Sequence, residues 1–169
     1  MATRSLSYRA NSALTVTNLH GISSSSTLIA GWTSGTIDNT TDLDLDKLVS
    51  GKITLESAGL AAGEIRLYAY TMLDDSTWPD LFSAGTEGTE GTATVHDVEI
   101  RDSGMKLLWS TITDTGASDV YTIPMTSVAE HFGSFLPPKF ALFVTHSTGT
   151  TLETTGNAIN LKGVKETVA

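Results

Sequence analysis

Four aspartates crowd one short stretch, Asp38, Asp42, Asp44 and Asp46, the last three alternating with Leu43 and Leu45. On an extended chain that alternation turns Asp42, Asp44 and Asp46 to one side, where three carboxylates would take a hard cation such as calcium. The EF-hand pattern is not met, because Lys47 stands where the loop glycine belongs and Ile53 where the bidentate glutamate belongs. A solvated acidic edge that discourages sheet-to-sheet pairing is the reading the spacing favours. His20, His96, His131 and His146 form no HxxxH or HExxH pair, so they read as ordinary surface or packing residues. The serines at 23–26 lie in no GxSxG elbow, and the GTEGTEGT stretch at 85–92 carries Glu where a phosphate cradle needs Lys. The residue types therefore assign no catalytic group, no cofactor and no metal centre, and the chain is read as a non-enzyme.

The aromatic residues offer a second kind of chemistry. Trp32, Trp78 and Trp109, with Tyr68 and Tyr70, could stack sugar rings on a sheet face. Trp109 follows Leu107 and Leu108 and reads as core instead. Trp78-Pro79 with Leu81 and Phe82 forms an apolar cluster in an otherwise polar, glycine-rich loop. Such a cluster either folds back as a lid over the end of the sandwich or docks on another chain, and the sequence weighs the two equally.

Elements that would position these residues follow from composition and spacing. The chain has 169 residues, a length suited to one domain, with 15 glycines and no cysteine. The missing cysteines exclude disulfide scaffolds, thiolate zinc sites and cysteine nucleophiles. A net charge of −9 opposes phosphate binding, so nucleic acid is not expected as a partner. No apolar run approaches the roughly 18 residues a membrane helix needs, and no membrane partner is expected. Strands are predicted at 13–19, 27–32, 52–55, 63–73, 92–100, 105–113, 119–123, 139–145, 150–154 and 158–162, separated by Gly, Asp and Ser turns. Residues 74–91 read as a long loop with a mobile tip, and 126–132 as a short helical segment capped by Thr126 or Ser127 and ended by Gly133. The sum is an all-β, single-domain, jelly-roll-like antiparallel β-sandwich over residues 13–169, preceded by a flexible arm at 1–12.

The order of landmarks resembles small tailed-bacteriophage virion proteins of the jelly-roll head decoration, or cement, type. The matching pieces are ALTVTNL (13–19), TIDNTTDLDLDKLVSGKITL (36–55), EIRLYAY (64–70), WPDLF (78–82) and FGSFLPPKFALFVTHSTGTTL (132–152). The resemblance implies a structural protein on the capsid exterior, assembled in the bacterial cytoplasm, with the major capsid protein as partner and a homo-oligomeric state, dimer or trimer. A carbohydrate- or receptor-binding module of a tail or head fibre is the alternative. It carries over no catalytic motif.

A cement role asks for an apolar or main-chain contact surface and an arm that adds to a neighbouring sheet. The first acidic residue is Asp38, and before it stand only the charges of Arg4 and Arg9. Arg4, Tyr8 and Arg9 in the arm, with Trp78, Leu81 and Phe82 in the loop, are the expected contact residues.

Overall fold

The computed structural model describes residues 4–56, 61–115 and 119–168. The strands are β1 (Arg4–Tyr8), β2 (Ser12–Ala13), β3 (Ala30–Thr33), β4 (Ile37–Asp38), β5 (Asp46–Thr54), β6 (Gly63–Thr71), β7 (Phe82–Ala84), β8 (Gly91–Val95), β9 (Lys106–Thr113), β10 (Val120–Ser127), β11 (Lys139–His146) and β12 (Ala158–Val168); α1 (Val98–Gly104) is the α-helix. Two antiparallel sheets face each other. Sheet one runs β1-β12-β5-β10 with β2 added to β12, and sheet two runs β7-β8-β3-β11-β6-β9 with β4 added to β11. The pairing is nested, with β1 on β12, β3 on β11, β5 on β10 and β6 on β9. One long hairpin folded over itself in this way is the jelly-roll topology.

Alternation in the strands decides which sheet face meets which layer. In β6, Ile65, Leu67 and Ala69 enter the core between the sheets, while Tyr68 and Tyr70 point away from it. β11 is buried on both faces: Phe140, Leu142 and Val144 face the core and Ala141 and Phe143 face outward, which is why this strand reads as a continuous apolar run. Sheet one supplies Val49, Ile53, Ile123, Ile159 and Leu161 to the same core. Each such side chain contributes about 1.5–3 kcal/mol relative to exposure.

In the excursion between β6 and β9, the loop expected at 74–91 contains β7, and β8 forms the start of the strand expected at 92–100. The excursion adds β7 and β8 to the edge of sheet two, then returns through α1, and its Leu81, Phe82, Val95 and Met105 cover the outward aromatics Tyr68, Tyr70 and Phe143. The α-helix falls here, where a strand to Ile100 was expected. Asp97 caps it by accepting from Ile100 N at 2.7 Å, and Arg101, buried, donates to the carbonyls of Thr27 and Leu28 at 3.0 Å each. The expected helical segment near 126–132 is a 3-10 helix over Ala129–Phe132, with Ser127 Oγ accepting from Glu130 N at 3.1 Å and Gly133 closing it in the left-handed conformation; β10 runs up to Ser127 ahead of it. Residues 17–19 likewise form a 3-10 turn where a strand was expected, and β10 and β12 run past Pro124 and Gly163. Residues 4–8, expected in a flexible arm, are an edge strand, because β12 is long enough to pair with them from Val164 to Val168.

Candidate interaction surface

Asp42, Asp44 and Asp46 do not converge on a common point. Arg9 Nε donates to Asp44 Oδ1 at 2.6 Å and its Nη2 to the Asp42 carbonyl at 2.7 Å. Lys47 Nζ lies 2.9 Å from both Asp42 Oδ2 and Asp44 Oδ2, the latter an ion pair without hydrogen-bond alignment. Asp46 accepts from Ala129 N at 2.9 Å, and Asp38 caps the turn at Thr40. Burial alone would lower the Lys47 pKa, but Asp44 and Asp42 outweigh it and hold it above its ordinary value; the hydrogen bond from Lys47 holds Asp42 below its own. Asp42 and Asp44 are therefore counter-ions of Arg9 and Lys47, and the acidic stretch is a clasp joining the N-terminal segment to β5. Arg9, expected to contact a partner, is engaged inside the chain.

The other nominated groups also have structural partners. Ser25 Oγ accepts from Ile29 N and Ala30 N at 3.2 Å each, and Ser24 Oγ from Gly149 N at 2.9 Å. His146 is buried between Thr148 Oγ1 at 2.9 Å and the Ile22 carbonyl at 3.2 Å; burial pushes its pKa down to about 4. Since a carbonyl only accepts, Nε2 carries the proton and Nδ1 accepts from Thr148. Trp32, Tyr68 and Tyr70 are buried, so the sugar-stacking platform suggested by their spacing is absent from the surface they were to line. Trp78 packs edge-on against Tyr70 with ring centroids 5.3 Å apart, and Leu81 and Phe82 are buried beneath it. The cluster folds back onto the outer face of sheet two, not over the end of the sandwich, and Trp78, Leu81 and Phe82 contact their own chain. The loop tip is pinned as well: Glu87 Oε1 accepts from Leu81 N and Phe82 N, and Gly88 N donates to the Tyr70 hydroxyl at 3.0 Å.

While the excursion covers the outer face of sheet two, the outer face of sheet one is open. Registers place Leu6 and Tyr8 of β1 beside Glu166 and Val164 of β12, and Asn160 beside Ser50 of β5. Leu6 is 66%, Tyr8 63%, Met125 58% and Val120 56% exposed. A groove of about 540 Å³ crosses this face between Ser50, Lys52, Thr122, Met125 and Asn160. The bulge between Ile123 and Thr126 builds its wall, carrying Pro124 and Met125. Gly51 lies in its floor, where a Cβ would strike the Ala158 carbonyl and force β5 and β12 apart. The charges here are Arg4, Lys52 and Lys162 against Glu166 and Asp46; Glu166 pairs with Arg4 at 3.3 Å and Asp46 with the turn at Ala129. Lys162 Nζ lies 5.7 Å from the Tyr8 ring. On a chain of charge −9, this apolar face has a slight basic excess.

Sequence reasoning missed Met125, Lys52 and Lys162, because only the register of four distant strands brings them onto one face. No protein-family model matches the chain, and no curated protein matches it.

Proposed function

We propose that the chain is a structural virion protein that binds the exterior of a tailed-bacteriophage capsid as a homo-oligomer and stabilises it, with the major capsid protein as its partner. The resemblance of its landmarks to decoration proteins supports the phage assignment. The observation that carries the reading is the open outer face of sheet one, apolar and slightly basic on an otherwise acidic body. A rigid jelly roll offers such a face with its backbone already ordered, and burying Leu6, Tyr8, Val120 and Met125 removes apolar surface from water at about 25 cal/mol per Å², of which the surplus over the cost of association appears as affinity. Arg4, Lys52 and Lys162 steer the face toward an acidic shell, and the acidic remainder stays in solvent and limits self-association.

The test is binding of purified chain to capsids lacking it, read as copies per particle, for the natural chain and for the Lys52→Glu, Met125→Asp double variant. Saturable binding that the double variant loses, with an unchanged melting temperature, is expected. A natural chain that leaves capsids bare overturns the proposal.

A further inference from the structure

β1 is the terminal strand of sheet one, and its hydrogen-bonding phase can be read from one contact. Arg9 N donates to the Gly163 carbonyl at 2.8 Å, one step beyond the β1-β12 register. In an antiparallel ladder, hydrogen-bonded pairs alternate with non-bonded ones. Ser5 and Ser7 therefore bond to β12, while the N–H and C=O groups of Arg4, Leu6 and Tyr8 point out of the sheet edge. The opposite edge, β10, is blunted by its bulge and by Pro124, which has no N–H.

From this edge we infer that two copies of the chain pair antiparallel through β1, with the two-fold axis at Leu6, joining two sheets one into a continuous sheet. The segment Arg4-Ser5-Leu6-Ser7-Tyr8 is self-complementary about that axis. Leu6 meets Leu6 of the second copy, and Arg4 meets the second copy's Tyr8, a cation–π pair, on both sides. All three outward residues match in phase, giving about six inter-chain backbone hydrogen bonds. A two-fold at Arg4 would set two guanidiniums opposite each other, and one at Tyr8 would set Arg4 opposite Ser12 of β2, whose register with Leu161 turns its N–H and C=O toward β12 and out of phase with Arg4. Glu166, the acidic residue beside Leu6, is paired with Arg4 at 3.3 Å, so these two charges balance near the axis. The inference deepens the oligomeric part of the function proposed above and rests on it. It doubles the open face, so a dimer presents two grooves side by side to the shell.

Leu6→Pro removes an N–H aimed at the second copy and none that bonds to β12, and Leu6→Lys places two ammoniums across the axis. Light scattering over a concentration series up to millimolar should give twice the 17.9 kDa chain mass for the natural protein and a monomer for both variants, each keeping the natural circular dichroism. Because the chain has no cysteine, Leu6→Cys reports the axis directly: the paired Cα atoms would stand about 5.5 Å apart, inside the disulfide range of about 4.4–6.8 Å, and oxidation should cross-link it. Leu43→Cys, equally exposed, should remain uncross-linked. A natural chain that is monomeric or trimeric, or a dimer that survives both Leu6→Pro and Leu6→Lys, overturns the inference. Copies per capsid measured for the natural chain separate the two claims: a monomeric natural chain that fills capsids sinks the dimer alone, and a dimeric one that leaves capsids bare sinks the shell reading alone.

Discussion

The Trp32 indole nitrogen, fully buried, donates to Glu90 Oε1 at 2.8 Å. The same carboxylate accepts from Asn18 N at 2.8 Å and Asn18 Nδ2 at 2.6 Å, so one residue of the repetitive GTEGTEGT stretch ties the 3-10 turn at 17–19 to β3. What looks like a low-complexity linker is a fastening of the core.

Replacing Glu90 by Ala leaves the Trp32 N–H buried without an acceptor and should destabilise the fold by about 1–3 kcal/mol in denaturant titration. Partial burial would raise the Glu90 pKa, but the donors Trp32 and Asn18 outweigh it and hold it below its ordinary value. Its contribution is therefore present above the unfolded carboxylate pKa and fades as pH falls through the lower folded value. In the natural chain, stability should decline on acidification below about pH 4.5, and Glu90→Gln should flatten that part of the curve.

His146 adds a second acid transition. Its pKa is pushed down from 6.5 to about 4 by burial, so the unfolded chain binds the extra proton first. Stability should fall as pH drops from about 6.5 to about 4, by at most roughly 3 kcal/mol. Chemical denaturation at stepped pH checks this, and His146→Gln should lose the slope in that window.

The clasp of Arg9, Asp42, Asp44 and Lys47 makes a prediction about asymmetry. Asp44→Ala removes the fully buried one of the two carboxylates facing a Lys47 side chain that is only 9% exposed, leaving Asp42 as its hydrogen-bonded counter-ion, and should cost about 1–3 kcal/mol in thermal or denaturant unfolding. Replacing Asp44 and Lys47 together by Leu and Met should cost less than Asp44→Ala, because the two buried charges are removed as a pair. A double-mutant cycle measures the difference.

Two groups of apolar residues should respond oppositely. Leu81→Ala opens a cavity in the outer cluster of sheet two and should destabilise by about 2–5 kcal/mol. Met125→Asp on the open face should leave the melting temperature unchanged while weakening shell binding by about tenfold or more.

The architecture was legible where one face or both faces of a strand were apolar. The spans of β6, β9 and β11 follow from alternation or continuous hydrophobicity bounded by turn residues. Local pattern misled at 13–19, where Leu14 and Val16 alternate like a strand but pack half-buried against the core around a 3-10 turn held by Glu90. It misled again at 96–100, where Val98 and Ile100 alternate like a strand while Asp97 carries the capping signal of a helix. Pro124 and Gly163 looked like strand ends; a bulged edge strand tolerates the first, and the second leaves room for Asp44 against β12. The clasp and the open face were not legible, because Arg9 meets Asp44 across 35 positions and the face is assembled from β1, β12, β5 and β10. The nested pairing that assembles them is a property of the whole chain.

Cryo-electron microscopy of capsids saturated with the chain tests the central claim most directly. The account predicts density for the jelly roll on the capsid exterior, with β1, β12, β5 and β10 against the major capsid protein and the excursion over sheet two directed to solvent. A chain absent from the capsid, or seated on it through Trp78, Leu81 and the outer cover of sheet two, would contradict it.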